Sequence, residues 1–350
     1  MDLLMYDPVT DTPSRTRSSN LCQQLGQVEY IFSDKTGTLT QNVMKLKLCH
    51  IDGTCYGDKN SVDFDPKEML QDLALQDERA AIIHSFLRLL AVSHTVVPEH
   101  DGDTLDYQAE SPDEAAMVLG AARVGYTFVA REGNIVTVDL QGKNLEKFEI
   151  LVVNVFNSTR KRMSVVCRTP EGKLVLLCKG ADNVMLQRCE GGGNDPRYKS
   201  LTEDLDSFAG LGLRTLVMAM RELDEGEFVE WKKGFDAAAA SLSDRNQRMA
   251  ACAEEIEVGM TVLGATGVED KLQDSVADTI FDLARAGIKL WVLTGERNEL
   301  SHYPPRLQLH PPLCSSLCFP LLLPFALHCR HIYTPQTHAL PFRGQEGDGH

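Results

Sequence analysis

The sequence contains no stretch of about twenty apolar residues, the length that a helix needs to cross a bilayer. The best candidate, residues 313–329, is shorter and is interrupted by Pro320 and Pro324, so no membrane-spanning helix is predicted. Basic residues are also scarce, because 35 Lys and Arg stand against 50 Asp and Glu, a formal net charge of −15. Since nucleic-acid backbones require basic surfaces, this balance argues against a nucleic-acid partner.

Cysteine pairs with metal-ligand spacing are missing as well. The ten cysteines include no CxxC, and no cleavable leader is predicted, so the reduced thiols of a cytosolic protein are expected. Cys314 and Cys318 form a CxxxC, but no second ligand pair follows at a zinc-like spacing. What remains is an ordinary globular composition, 43% hydrophobic and 24% charged, in a chain long enough for two domains.

Apolar periodicity predicts a mixed order of helices and strands. The predicted helices are 68–92, 112–123, 237–249 and 270–286, and the predicted strands are 28–32, 135–140, 148–155, 163–168, 174–178, 213–220 and 288–293. The four predicted strands between 135 and 178 follow each other through short turns, as in an antiparallel sheet. Helix 270–286 and buried strand 288–293 are typical of an α/β crossover, which predicts that this strand lies parallel to buried strand 28–32.

The composition changes after Leu300. The last fifty residues hold eight of the fifteen prolines and six of the ten histidines, but only two acidic side chains. A segment that differs this much from the preceding sequence is not expected to share its fold. Our hypothesis is an unspliced or frame-shifted end, which sequencing the transcript across positions 296–305 tests.

The Asp34-Lys35-Thr36-Gly37-Thr38 segment follows an apolar strand directly. A carboxylate at the carboxyl end of a parallel strand lies in the crevice where α/β sheets bind ligands. Gly37 allows backbone N–H groups to approach a phosphate closely, and Lys35 adds positive charge. An Asp nucleophile divides one phosphoryl transfer into two easier steps, so Asp34 is predicted to accept a phosphoryl group.

This motif resembles the phosphorylation motif of P-type ATPases, and the flanking residues resemble the phospholipid-flippase branch. Further segments resemble that branch in family order: 27–33 (QVEYIFS), 40–42 (TQN), 108–114 (QAESPDE), 160–164 (RKRMS), 179–182 (KGAD), 212–216 (GLRTL) and 269–273 (EDKLQ). Related phosphatases of the haloacid-dehalogenase superfamily carry a second Asp two residues after the nucleophile, where this chain has Thr36. Without that general acid an aspartyl phosphate persists, which suits a pump better than a phosphatase.

The resemblance implies an α/β fold in which a large nucleotide-binding domain interrupts an incomplete phosphorylation domain. The phosphorylation domain is expected to be Rossmann-like, of the haloacid-dehalogenase type, and the inserted domain α+β with an antiparallel sheet. The implied boundaries are a disordered lead-in at 1–20, the phosphorylation domain at 21–45 and, truncated, at 266–298, the nucleotide-binding domain at 46–265, and an atypical, disordered tail at 299–350.

Four residues match positions that hold the nucleotide in the family: Glu114, Phe156, Lys179 and Arg214. Each also has a local interpretation. Glu114 is placed for a capping box with Ser111, which is favoured on sequence alone, and Phe156 could be a core aromatic. Lys179 ends an apolar strand, where a charge is not expected in the core, so ATP contact and solvation both stay open. Arg214 lies among leucines and needs an anion, either a phosphate or a carboxylate.

The remaining implied ligands are Asp34, Lys35 and Thr36 together with Thr294, Gly295 and Glu296, which match the family's TGD sequence except that Glu replaces Asp. On local grounds alone, the last three could equally form a strand-ending turn. Mg²⁺ is expected on the Asp34 carboxylate and the Thr36 carbonyl. A third family ligand, in a GDGxND sequence, does not occur in these residues, so metal affinity and phosphorylation are expected to be weak.

The resemblance thus predicts the ATP-binding, autophosphorylating portion of an ATP-driven phospholipid translocase. Its partners would be ATP, a phospholipid bound by a membrane domain outside these residues, and an accessory subunit. The whole translocase would present this portion at the cytosolic face of a membrane. The alternative is a truncated, non-catalytic nucleotide-binding module. A soluble phosphatase is disfavoured by Thr36.

Overall fold

The computed structural model describes residues 6–7, 11–13, 21–61, 63–101, 104–193, 195–241 and 243–293. These residues divide into two compact units. The smaller unit consists of the described residues up to Gln41 and those from Leu272 onwards, and the larger one is Asn42–Lys271. The larger unit is therefore one continuous stretch of chain inserted between the two halves of the smaller one.

The smaller unit pairs two parallel strands beside a helix. Its elements are β1 (Tyr6–Asp7), β2 (Thr12–Pro13), α1 (Leu21–Leu25), β3 (Tyr30–Asp34), α9 (Val276–Arg285) and β15 (Lys289–Leu293). Strands β3 and β15 pair in parallel, with Leu293 opposite Asp34. Gly287, at φ +79°, allows the chain to leave α9 and enter β15. The crossover predicted for this region is confirmed.

The larger unit is built around a nine-stranded sheet. Its strands are β4 (Thr40–Ile51), β5 (Thr54–Tyr56), β8 (Tyr126–Glu132), β9 (Ile135–Leu140), β10 (Asn144–Asn157), β11 (Arg162–Arg168), β12 (Leu174–Gly180), β13 (Arg214–Glu222) and β14 (Thr261–Leu272). Their order is β5-β4-β14-β13-β12-β11-β10-β9-β8. From β8 to β14 every neighbouring pair is antiparallel, which confirms the predicted antiparallel sheet.

Helices cover both faces of this sheet. They are α2 (Lys67–Leu75), α3 (Glu78–Val92), α4 (Pro112–Arg123), α5 (Asp182–Arg188), α6 (Lys199–Gly210), α7 (Glu225–Ala239) and α8 (Arg245–Ile256), with a 3₁₀ turn at Pro196–Tyr198 and a hairpin of β6 (Val97–Asp101) and β7 (Thr104–Gln108). Successive strand residues point to opposite faces. Val165 therefore packs in the core under α3 and α4, and Val166 in the core under α5 to α8.

Three predicted helices differ from the structure, whereas 112–123 and strand 135–140 have the predicted bounds. The helix predicted at 68–92 breaks at Gln76, which adopts the left-handed conformation at φ +54° between α2 and α3. The helix predicted at 237–249 is likewise divided, because α7 ends at Ala239 and Asp244 has φ +53°. The helix predicted at 270–286 begins only at Val276, since the residues up to Leu272 extend β14.

The expectation that β3 and β15 are buried is wrong for the described residues. Phe32 in β3 is 65% exposed and Trp291 in β15 is 43% exposed, although the two rings lie 6.2 Å apart. The reason is geometric: the described part of this sheet contains two strands, and one helix cannot cover both of its faces.

Gly264 lies where the sheet has no room for a side chain. A Cβ atom there would lie 2.2 Å from the His50 carbonyl oxygen, whereas a Cβ at Gly234 in α7 meets nothing within 4 Å. We expect Gly264→Ala to lower the free energy of unfolding by about 1–3 kcal/mol through overpacking. The matched variant Gly234→Ala should raise it by about 0.5–1 kcal/mol. Urea unfolding measures both, and equal effects would contradict the packing described here.

Candidate nucleotide site

The first turn of α4 carries a buried carboxylate that does not cap its own helix. Ser111 makes no side-chain capping bond, so the predicted capping box is wrong. Glu114 instead accepts hydrogen bonds on Oε2 from the Thr95 backbone N–H, at 3.0 Å, and hydroxyl, at 2.8 Å. Its Oε1 lies 3.0 Å from Nζ of Lys179. These partners are distant in sequence, and they take both oxygens away from the local role.

Lys179 lies inside the sheet, contrary to the expectation that a charge at this position avoids the core. Lys179 is 6% exposed and Glu114 is 8% exposed. Burial lowers the pKa of Lys179, and the attraction of Glu114 opposes that shift only in part. Burial alone would raise the pKa of Glu114, but Lys179 and the bonds from Thr95 outweigh it and lower that pKa. The result is an ion pair that is fixed in place and largely shielded from water.

Arg214, the first residue of β13, finds a carboxylate as its anion. Its Nη1 donates to Oδ2 of Asp113 at 3.0 Å, and both side chains are partly exposed. Asp113 and Glu114 are neighbours, so one helical turn holds both cations, Arg214 and Lys179. The structure therefore brings three of the predicted site residues together, and it adds Asp113 and Thr95, which the sequence analysis missed.

Phe156 projects from an irregularity in β10. The register passes from Asn154 opposite Ser164 to Asn157 opposite Arg162, which leaves Val155 and Phe156 opposite one residue. Both are exposed, Phe156 by 62%, so the alternative of a core aromatic is wrong. The residue opposite them in β11, Met163, pairs on its other side with Lys179. An open aromatic face thus lies two strands from a buried cation.

His94, the residue before Thr95, is bonded to the backbone inside the core. Its Nδ1 accepts the Val96 N–H at 3.2 Å, its Nε2 donates to the Ala91 carbonyl at 2.8 Å, and its ring meets Phe128 edge-on with centroids 4.6 Å apart. These bonds require a neutral imidazole, and burial lowers the pKa of His94 to about 3. No periodicity or motif in the sequence points to this role.

The buried neutral His94 predicts a loss of stability in mild acid. Unfolding returns its pKa to about 6.5, so the unfolded chain binds the extra proton, and the contribution is complete above that pH and falls as pH drops towards the folded value. At pH 5 the loss relative to pH 8 is about 2 kcal/mol. We expect His94→Gln to be less stable at pH 8 but to lose less than its parent between pH 8 and pH 5. Parallel slopes in urea unfolding would contradict this.

Asp34 lies in the smaller unit, at the carboxyl end of β3. Its side chain is exposed, and its Oδ1 accepts the Lys35 backbone N–H at 2.7 Å. The following turn closes through the Lys35 carbonyl, which accepts from the backbone N–H of Leu39 and of Thr40. Gly37 has φ +76°, the left-handed region that favours glycine. An accessible carboxylate at this strand end can act as a nucleophile.

Thr294, Gly295 and Glu296 lie outside the described residues, as do Cys314 and Cys318. Within the described ranges no group of three or more His, Cys, Asp or Glu side chains could hold a metal ion. Asp34 and the exposed Thr36 do offer oxygen ligands. Mg²⁺ commonly takes one or two carboxylates and completes its shell with phosphate and water, so these oxygens fit an ion that arrives with a nucleotide.

A comparison with protein families identifies the larger unit. Residues 83–275 match the family described as P-type ATPase, cytoplasmic domain N. The chain belongs to the P-type ATPase family. The matched range contains the Glu114–Lys179 pair, Phe156 and Arg214. No helix in the described part of this P-type ATPase chain is long and apolar enough to cross a membrane.

Curated relatives share the predicted branch. The chain is 48% identical over 313 residues to a phospholipid-transporting ATPase of Schizosaccharomyces pombe, covering 85% of this chain and 25% of the relative. It is 47% identical over 317 residues to phospholipid-transporting ATPase DRS2 of Saccharomyces cerevisiae (85% and 23%) and 43% identical over 319 residues to phospholipid-transporting ATPase IC of Homo sapiens (85% and 25%). The predicted resemblance is confirmed, and the chain spans about a quarter of these relatives' length.

Proposed function

We propose that this chain is the ATP-binding and phosphate-accepting portion of an ATP-driven phospholipid translocase. The observation that carries the proposal is Lys179, a buried cation held by Glu114 and two strands from the exposed ring of Phe156. A protein buries a charged pair of this kind at some cost in solvation. Binding an anionic ligand that carries an aromatic base would account for the cost of burying this pair.

In this proposal Phe156 stacks on the adenine, since every base offers a π-face to an aromatic ring. Lys179 and Arg214 supply positive charge to the nucleotide. Glu114 has both oxygens engaged by Thr95 and Lys179. Its role is therefore to keep Lys179 charged and oriented, and any bond from adenine would be additional.

Asp34 is the proposed phosphoryl acceptor. One of its carboxylate oxygens bonds to the γ-phosphorus of ATP as the bond to the departing ADP breaks. Lys35 contributes positive charge, and Asp34 with the Thr36 carbonyl would hold Mg²⁺, which neutralises phosphate charge when bound. Thr36 cannot act as a general acid, so the aspartyl phosphate persists. Thr294, Gly295 and Glu296 are proposed to contact the γ-phosphate.

The wider role follows the relatives' names. We infer that the whole translocase moves a phospholipid by coupling this phosphorylation to a membrane domain. The portion described here would face the cytosol, and an accessory subunit would join the translocase. The relatives are named phospholipid-transporting ATPases, and the chain matches 85% of its own length to them.

Titration of the 350-residue chain with ATP tests the nucleotide site. Phe156→Ala removes an exposed ring, so we expect an intact fold and ATP binding weakened roughly 5- to 150-fold, the worth of one base–aromatic stack. Leu145→Ala is the matched control, because Leu145 is 60% exposed on the same strand. Calorimetry measures both. The proposal would be refuted if the unsubstituted chain does not bind ATP, or if the two variants weaken ATP binding equally.

A further inference from the structure

A second buried charge cluster lies on the opposite face of the same strands. Glu257, just after α8, is fully buried and accepts four hydrogen bonds. Arg160 Nη1 donates to both of its oxygens, at 2.7 and 2.8 Å, Arg162 Nε donates at 2.5 Å and the Ser164 hydroxyl at 2.7 Å. Asn154 in turn donates to Ser164 Oγ at 2.9 Å. We call these five residues the Glu257 cluster.

The cluster is costly to build. Arg160 and Arg162 are 5% and 1% exposed, so two cations and one anion have left water. Buried ion pairs seldom add net stability compared with apolar side chains of the same shape. Arg162 gains a further carboxylate, Glu254, only at 3.7 Å and at the surface. Such an arrangement is better explained by the geometry that it imposes than by stability.

What the cluster fixes is the backbone on both sides of the turn between β10 and β11. Arg160 Nη2 donates to the Val155 carbonyl, and Arg162 Nη1 donates to the Arg160 carbonyl, each at 2.9 Å. Lys161, between the two arginines, is held at φ +52°, and its carbonyl accepts the Ala181 N–H at 3.0 Å. Two carbonyls at this turn, those of Val155 and Arg160, are therefore held by arginines that Glu257 itself binds.

The neighbouring glycine shows how closely the turn is packed. A Cβ atom on Gly180 would lie 2.4 Å from Cβ of Arg162 and 2.7 Å from the Lys161 carbonyl oxygen. Gly180 directly follows Lys179. The turn, the end of β12 and the buried cation of the nucleotide site thus pack at one end of the sheet.

We propose that Glu257 is a positioning residue for the nucleotide site: through Arg160 it fixes the Val155 carbonyl and so sets the ring of Phe156, the next residue, for a purine base. Glu257 does not touch the nucleotide in this scheme. The inference rests on the proposed ATP site, and it adds a residue about a hundred positions away in sequence, on the other face of the sheet, that determines how well the site binds.

A double-mutant cycle tests this role by ATP calorimetry on the 350-residue chain. Glu257→Gln should weaken ATP binding roughly 3- to 30-fold in the parent. In a Phe156→Ala background it should have almost no further effect, because the ring that it positions is gone. Glu254→Gln, which removes the surface partner of Arg162, is the control and should leave affinity unchanged. The same fold-change in both backgrounds, or none in either, would overturn the proposal.

A measurement without nucleotide separates this inference from the ATP site itself. Amide hydrogen exchange at Phe156 and across residues 157–161 should accelerate at least about tenfold in Glu257→Gln, as expected when a local opening becomes easier. If the parent fails to bind ATP, the proposed function fails, whatever the exchange shows. If Glu257→Gln does not fold, Arg160→Lys replaces it, since a lysine keeps the charge beside Glu257 but cannot also reach the Val155 carbonyl. Unchanged exchange would refute the positioning role.

Discussion

Glu114→Ala is expected to lower the free energy of unfolding by about 3–5 kcal/mol, because it leaves Lys179 buried without its counter-charge. Lys179 is 6% exposed, so its ammonium group has little contact with water that could replace the carboxylate. Urea unfolding at neutral pH measures the loss. The matched control is the adjacent Asp113→Ala, whose partner Arg214 is 31% exposed. That variant should lose about 1 kcal/mol or less, and equal losses would contradict the assignment of Glu114–Lys179 as the buried pair.

Removing both charges separates stability from binding. In Glu114→Ala/Lys179→Met no unpaired charge stays buried, so most of the lost stability should return. ATP affinity should remain low, since the cation is absent. A double variant that stays as unstable as Glu114→Ala would show that the loss comes from packing and not from the lone charge. One that binds ATP like the parent would remove Lys179 from the proposed site.

Asp34→Asn is expected to abolish acid-stable label from γ-labelled ATP. An amide cannot form the aspartyl phosphate, so the label should disappear completely while ATP binding persists. The variant Glu29→Gln, which neutralises a carboxylate just before β3, is the control and should keep the label. Label that survives in Asp34→Asn would place the phosphate on another residue.

The amount of label on the unsubstituted chain distinguishes the autophosphorylating portion of a translocase from a non-catalytic nucleotide-binding module. We expect low stoichiometry, since these residues offer Mg²⁺ two protein oxygens and contain no GDGxND sequence. Label near one phosphate per chain would show that Asp34 and Thr36 suffice. ATP binding with no label at all would favour the non-catalytic nucleotide-binding module.

Local patterns predicted the elements whose ends are set locally. Helix α4 has the predicted bounds because Pro112 favours the first helical position, and β9 ends at turns with Gly133 and Gly142, both at positive φ. The break at Gln76 was missed because glutamine rarely adopts φ > 0. The break before α8 had a local signal in Ser241, Ser243 and Asp244, which favour turns. The prediction of one helix followed the apolar spacing instead.

In the candidate site, too, the sequence predicted local features but not contacts between residues that are distant in sequence. The resemblance proposed Asp34, Glu114, Phe156, Lys179 and Arg214 as site residues, but it could not say what each side chain contacts. The partners of Glu114 are Thr95, nineteen residues away, and Lys179, sixty-five residues away. Such pairs arise only when strands and helices pack, so helix-cap rules chose the wrong role for Glu114. Glu257 was missed for the same reason, although its partners Arg160, Arg162 and Ser164 belong to a segment that marked the family.

Photolabelling with an azidoadenine analogue of ATP determines whether the base binds beside Phe156 and Lys179. The 350-residue chain would be irradiated with the analogue, digested and mapped by mass spectrometry, with and without excess ATP. We expect label on the peptides that contain Phe156 and Lys179, and we expect excess ATP to remove it and Phe156→Ala to abolish it. Label that ATP displaces from peptides of α6 or α7, with none near Phe156, would contradict this expectation.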